Sequence, residues 1–290
     1  MPESKAIPCK LTKEVASRII GYAAALEESA HMIGNHGLDE DEFRRSGLFR
    51  AAIERLRGTQ AASMVEKRGF ISSVLDHMQK ISAIASWQFA GGGERHDYEV
   101  IHNDGAITAI EAKGCLDGNN TNIFVRPPNA DHFLIWSLCQ NPGANPERNA
   151  WSGIHTRLSA EIIWRKQRVD GLIIWDMLCG TVGRPCPKLS QSGRTPTWVG
   201  ERLVPPPCLY LFPRTIPDPR NNPHPACWTL REQPFMIALY DAFNCDDTDM
   251  TDVRIEVERD GVELRRRTRL SVLGAVRRES PWTVLKRAAG

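Results

Sequence analysis

Apolar residues recur at helical spacing over residues 11–33, where Val15, Ile19, Tyr22, Ala23 and Leu26 fall on one side of a helix. Thr12 stands where an N-cap belongs and Gly34 where the helix would stop. A second helix is expected over residues 40–58, with Phe43, Leu48, Phe49, Ile53 and Leu56 on its apolar face and Gly58 at its end. A third is expected over residues 61–86, carried by Val65, Phe70, Val74, Leu75, Met78, Ile81 and Ile84 and interrupted at Gly69. The period then changes to two. Trp87 to Ala90 reads as a short strand, and Gly91-Gly92-Gly93 as a link. Two alternating runs then flank Asn103-Asp104-Gly105, a hairpin turn in which glycine supplies the positive φ.

Beyond the hairpin the pattern coarsens. Residues 115–133 are a polar loop rich in Asn and Pro, DHFLIWSLC (131–139) reads as helical or buried, and QNPGANPERNAW reads as a loop. A helix is expected over 155–168, then a strand buried on both faces over 169–175. From Cys179 to Trp228 proline is dense, and only PPPCLYLFP suggests a strand. Residues 234–243 suit a short helix or strand, and a second hairpin turns at Asp260-Gly261. Helix, hairpin, crossover helix and buried strand in that order predict an α/β fold with a central mixed β-sheet flanked by helices. Three regions follow: 1–60, a helical arm packing on the core; 61–178, the core; and 179–290, Pro-rich loops and a hairpin, in the same domain or a recognition subdomain.

Composition narrows the picture. The 290 residues are 41% hydrophobic and 25% charged, enough to bury a core, and the net charge is only +2. A nucleic-acid partner would therefore need a local basic face. Arg265-Arg266-Arg267 with Arg269 offers one, though the same residues suit a solvated strand edge. No apolar run is long enough to span a bilayer, and MPESKAIPCK has no signal-peptide core, so a cytoplasmic protein with reduced cysteines is expected. Cys179, Cys186, Cys208 and Cys227, with His224, could gather around zinc. Their loose spacing fits small buried side chains better.

The chemistry concentrates on the first hairpin. Asp97 opens its first arm, and Glu111-Ala112-Lys113 ends its second. Glu111 and Lys113, two apart on a strand, share a face, and the antiparallel arm brings Asp97 beside Glu111. Two carboxylates and an ammonium in that arrangement can hold a divalent cation such as Mg²⁺ and activate a water, with the Ala112 carbonyl as a further ligand. Glu99 is the rival for the first carboxylate position, and Glu66 and Asp76 are the acids of the preceding helix. The same trio could also be a surface salt-bridge set, but the apolar neighbours Ile107, Ala109 and Ile110 make that arrangement costly without a role.

Asp97, then about fourteen residues on Glu111-x-Lys113, each on one arm of a hairpin behind a helix, resembles the motif of the PD-(D/E)XK nuclease superfamily. The resemblance covers residues 61–175. His96 stands where that family often has proline. It implies a restriction-endonuclease-like core, and most resembles a type II restriction endonuclease. Such an enzyme would be a Mg²⁺-dependent homodimer that cuts double-stranded DNA to leave 5′-phosphate ends, encoded near a cognate DNA methyltransferase. Asp97, Glu111 and Lys113 would be catalytic, with Glu66 as a further acid. Asn119, Asn120, Asn122, Arg126, Lys188 and Arg194 would contact DNA. A repair or structure-specific nuclease of the same superfamily, and a DNA-binding or assembly protein that keeps the fold without cleaving, are the alternatives.

Overall fold

Residue periodicity turns into two kinds of layer in the computed structural model, which describes residues 13–28, 38–39, 41–43, 48, 64–90, 96–114, 116, 126–139, 146–176, 186, 188–189 and 193–285. The chain divides into two compact units, Met1–Ala61 and Ala62–Gly290. In the first, helix α1 (Lys13–Glu28) buries Tyr22 and Ala23, and the Tyr22 ring meets Phe43 edge-on at 5.6 Å between centroids. Thr12, Gly34, Gly58 and most of the helix expected over 40–58 lie outside the described residues.

The second unit is mixed α/β. Helix α2 (Met64–Lys80) leads into β1 (Ser86–Phe89), β2 (Tyr98–Ile101) and β3 (Ile107–Lys113), an antiparallel meander. Strand β4 (His132–Cys139) lies parallel to β3, and β5 (Gly171–Asp176) lies parallel to β4. Between β4 and β5 run helix α3 (Pro146–Gly153), a π-helical turn (Ile154–Leu158) and helix α4 (Ser159–Arg165). Strands β6 (Thr197–Val199) and β7 (Arg202–Val204) form a separate ribbon. Then β8 (Cys208–Leu211), helix α5 (Pro234–Ala242), β9 (Met250–Asp260), β10 (Glu263–Val272), β11 (Ala275–Glu279) and β12 (Thr283–Val284) follow. Among the described residues the large sheet has ten strands, in the order β1-β2-β3-β4-β5-β8-β9-β10-β11, with β12 on β10.

Three sequence expectations are corrected. The stretch read as helical or buried over 131–139 is buried, as His132–Cys139 of the central strand β4, and is not a helix. Phe133, Leu134, Ile135, Trp136 and Leu138 are all buried because layers cover both faces, and that erases the alternation that would mark a strand. The loop read over QNPGANPERNAW becomes helical at Pro146, where a proline is tolerated because the first helical N–H has no partner within the helix. The helix expected to reach residue 86 stops at Lys80. Ser82, at φ 60°, reverses the chain into β1, which takes Ser86 as its first residue. Residues 234–243 resolve as the helix α5, with Pro234 in its first turn.

Each sheet face has its own core. On one, Ile71, Val74, Leu75 and Met78 of α2 and Phe235, Met236 and Leu239 of α5 cover Tyr98, Ile110, Leu134, Trp136 and Trp175. On the other, Ile154, Leu158 and Ile162 cover Ala109, Phe133, Ile135 and Leu172, together with Val253, Ile255 and Leu270 of the distal strands. Ala109 shares its strand face with Glu111 and Lys113, so these two lie on the side of the sheet that carries α3 and α4.

Candidate active site

Hairpin geometry assembles the site. Gly105 at φ 87° permits the turn, and the Asp104 carboxylate accepts the Ala106 N–H at 3.0 Å. The register that pairs Tyr98 with Ile110 and Glu99 with Ala109 carries Asp97 to the level of Glu111. Asp97 is fixed at both ends: its backbone N–H reaches Ile110 O at 3.0 Å, and its Oδ2 accepts the Ala112 N–H at 2.9 Å. On the other side β4 sets Ile135 beside Glu111 and Ser137 beside Lys113.

Glu111 is buried, with 5% of its surface exposed. Burial pushes its carboxyl up to about 7, and the neighbouring Asp97 charge adds to the rise, while the Lys113 ammonium works against it by hydrogen bond and by charge. Lys113 Nζ donates directly to Glu111 Oε1 and keeps 18% side-chain exposure, so the ammonium faces both the carboxylate and solvent. The result is two crowded carboxylates, one deprived of water, beside a cation at the open end of a rigid strand. Such a pair is short of positive charge, which a divalent cation would supply.

Glu99 lies on the same face but closer to the turn, in a network of its own. Gln88 Nε2 (2.7 Å), Asn129 Nδ2 (3.2 Å) and His96 Nε2 (3.2 Å) all reach its carboxylate, and its pKa is lowered, chiefly by the Gln88 hydrogen bond. Three protein partners leave it less suited to a cation than Asp97. Helix α2 begins beside the site, because Lys67 Nζ lies 3.1 Å from where a side chain on Gly114 would start. Glu66 precedes Lys67 on that helix, and its side chain is outside the described residues. Asp76 sits ten residues further along, about 15 Å by helical rise, where its Oδ1 accepts Trp87 Nε1 at 3.0 Å.

The proposed DNA contacts do not converge here. Asn119, Asn120 and Asn122 lie outside the described residues. Arg126 donates to Asp131 O and lies 3.8 Å from the Asp170 carboxylate, near the start of β4. Six residues of strand separate Asp131 from Ser137, about 20 Å, so Arg126 belongs to the opposite end of the sheet. Lys188 and Arg194 are engaged within the fold. Arg194 grips both oxygens of buried Asp249 (2.8 and 2.7 Å) and pairs with Asp246, and Lys188 pairs with Asp249 and donates to the Pro206 and Pro207 carbonyls. Both cations fasten the Pro-rich segment to the start of β9.

Three arginines of the basic run on β10 are likewise neutralised. Arg265 pairs with Asp260 and Glu263, and Arg267 and Arg269 both pair with Glu256 and Glu279. Sequence reasoning missed two buried acids that organise the fold. Asp170 accepts Phe133 N–H (2.8 Å) and Trp228 Nε1 (3.1 Å), with Arg168 at 3.6 Å; Asp249 holds the clasp just described. Neither stands in a local motif that could have marked it.

Among the described residues no group of three or more His, Cys, Asp or Glu side chains could hold a metal. Cys208, Cys227 and Cys245 form no disulfide. Cys227 donates to Val253 O at 3.3 Å, and burial pushes its thiol up to about 12; Cys179 lies outside the described residues. Any cation at the hairpin would thus rest on two carboxylates, a backbone carbonyl and water. Mg²⁺ suits such a set, because it gives up its waters reluctantly. No helix among the described residues is long and apolar enough to cross a membrane. No protein-family model, curated protein or solved structure matches the chain.

Proposed function

We propose that this chain is a Mg²⁺-dependent endonuclease for double-stranded DNA, with a PD-(D/E)XK-type core formed by α2, β1–β3, β4, the α3–α4 crossover and β5. The observation that carries the reading is the meeting of Asp97, buried Glu111 and Lys113 at one end of the hairpin. A surface salt-bridge set would not bury Glu111 beside a second carboxylate. Site-specific cleavage of the type II restriction kind is the specific form proposed, in the cytoplasm, by a homodimer that brings one site to each strand. A cognate DNA methyltransferase would protect the host sequence.

Asp97 and Glu111 would hold Mg²⁺ through their carboxylates, with the Ala112 carbonyl completing the protein's share. Bound there, the cation supplies a lower pKa for water and neutralises charge at phosphorus. The Ala112 N–H holds Asp97 in its rotamer, so the carboxylate is oriented before substrate arrives. Lys113 orients the attacking water and offsets the negative charge on the non-bridging oxygens. The water oxygen bonds to phosphorus as the bond from phosphorus to O3′ breaks. One of the water's protons passes to bulk solvent and one reaches the departing O3′ by way of solvent water, which leaves a 5′-phosphate and a 3′-hydroxyl.

Incubation of plasmid DNA with the full chain and Mg²⁺ tests the proposal. Discrete fragments are expected, with none in EDTA and at least a hundredfold loss in Lys113→Ala. A smear would favour a repair or structure-specific nuclease, and binding without cleavage would favour a non-cleaving DNA-binding protein. Full activity in Lys113→Ala would refute the assignment of the site.

A further inference from the structure

Arg266 breaks the pattern of its neighbours on β10. Arg265, Arg267 and Arg269 each pair with acids. Arg266 lies on the other face, under the π-helical turn, with 7% of its surface exposed. Among the described residues no carboxylate reaches it. Its Nη1 donates to Ser159 Oγ and lies 3.4 Å from His155 Nδ1, and its Nε is buried without a hydrogen-bond partner. A buried guanidinium without an anion is costly, and a native structure rarely keeps one idle.

The helical turn above it is the second, independent observation. Residues Ile154–Leu158 wind as a π-helix, closed by the Ser159 N–H on Ile154 O. Such turns are less favourable than α-helix and occur often at functional sites. This one sets His155 and Ser159 over Arg266. The Trp151 ring, stacked on His155 at 5.2 Å and 15°, fixes the plane of the imidazole. His155 and Trp151 are each partly exposed, so solvent reaches the edge of the cluster.

We propose that Arg266, His155 and Ser159 form a binding site for a phosphate group. The guanidinium supplies charge and a donor fork that matches an oxyanion, the Ser159 hydroxyl can turn to donate, and a His155 tautomer with the proton on Nδ1 supplies a third donor. In sheet order β10 is five strands from β3, about 24 Å, so this site is separate from the one at Glu111. It does not depend on the nuclease reading. The phosphate is either a backbone group of bound DNA or that of a free phosphate or nucleotide.

Thermal unfolding of the full chain in sodium phosphate and in sodium chloride at matched ionic strength tests it, with wild type, Arg266→Met and Ser159→Ala side by side. The readout is the phosphate response of wild type minus that of Arg266→Met, which removes the general stabilising effect of phosphate. For a free ligand, wild type shows a saturable extra rise in Tm, Ser159→Ala needs more phosphate for the same rise, and Arg266→Met shows none while melting no lower than wild type in chloride. For a DNA phosphate, the slope of log K against log salt for duplex binding falls by about one contact in Arg266→Met. If neither difference appears, or if Arg266→Met retains both responses, the site does not exist. Failure of wild type to bind DNA would overturn the nuclease proposal and leave the phosphate arm to decide this one.

Discussion

Glu111→Gln is the sharpest test of the hairpin, because it should make the protein more stable and inactive at once. In the folded protein the Glu111 carboxyl is raised to about 7 from its ordinary 4.5, first by burial. Between those values the folded form keeps a proton that the unfolded chain has released. Stability therefore falls as pH rises through this window and levels off above about 7. A shift of this size corresponds to about 3 kcal/mol, at 1.36 kcal/mol per pH unit. Glutamine keeps the shape without the titration, so the stability difference between variant and wild type should grow by about 3 kcal/mol from pH 4 to pH 8. Urea unfolding of both proteins in EDTA at several pH values measures it, and other titrating groups cancel in the difference. Added Mg²⁺ should then restore wild type, by about 2.7 kcal/mol at a hundred times Kd, and leave Glu111→Gln unmoved. A stability difference that stays flat across this pH range would show that Glu111 is not a desolvated carboxyl. A Mg²⁺ response in Glu111→Gln equal to that of wild type would place the cation elsewhere.

Other predictions concern the frame. Asp249→Ala leaves Arg194 and Lys188 without their buried counter-charge, so a loss of about 3–5 kcal/mol is expected in urea unfolding, with new protease sensitivity in the Pro-rich segment. Asp170→Ala orphans the Phe133 N–H and the Trp228 indole. It should lower stability by a similar few kcal/mol, and Asp170→Asn by less, as read from the shift in urea midpoint. Gly171→Ala would set a methyl 2.8 Å from the Tyr210 carbonyl and 2.3 Å from Met236 Cε. Because a backbone carbonyl in a sheet has little room to move, a loss of about 1–3 kcal/mol is expected, visible as a lower Tm.

What the sequence made legible was local. The hairpin follows from Asn103-Asp104-Gly105 and two alternating runs, since one turn determines which residues face each other. Helix α2 follows from a one-sided apolar stripe, and β5 from an unbroken apolar run. Strand β4 carries the same kind of run, yet its period is hidden because α2 and α5 cover one face and α3 and α4 the other. An apolar stretch of this length is compatible with either a helix or a strand until its neighbours are known.

Side-chain roles divide along the same line. Glu111 and Lys113 could be paired from sequence because a strand puts residues two apart on one face, whatever else the chain does. Lys188, Arg194 and Arg266 are chemically no different, and their roles depend on partners far along the chain. Arg194 meets Asp249 across 55 positions, and Arg266 meets Ser159 across 107. From sequence the loop and strand cations could only be nominated for phosphate, with a solvated strand edge as the other reading on β10, although most are neutralised within the fold. The exception is the arginine with the least exposure among the described residues: a cation left without an acid inside a protein says more about binding than a row of exposed ones, because solvent cannot account for it.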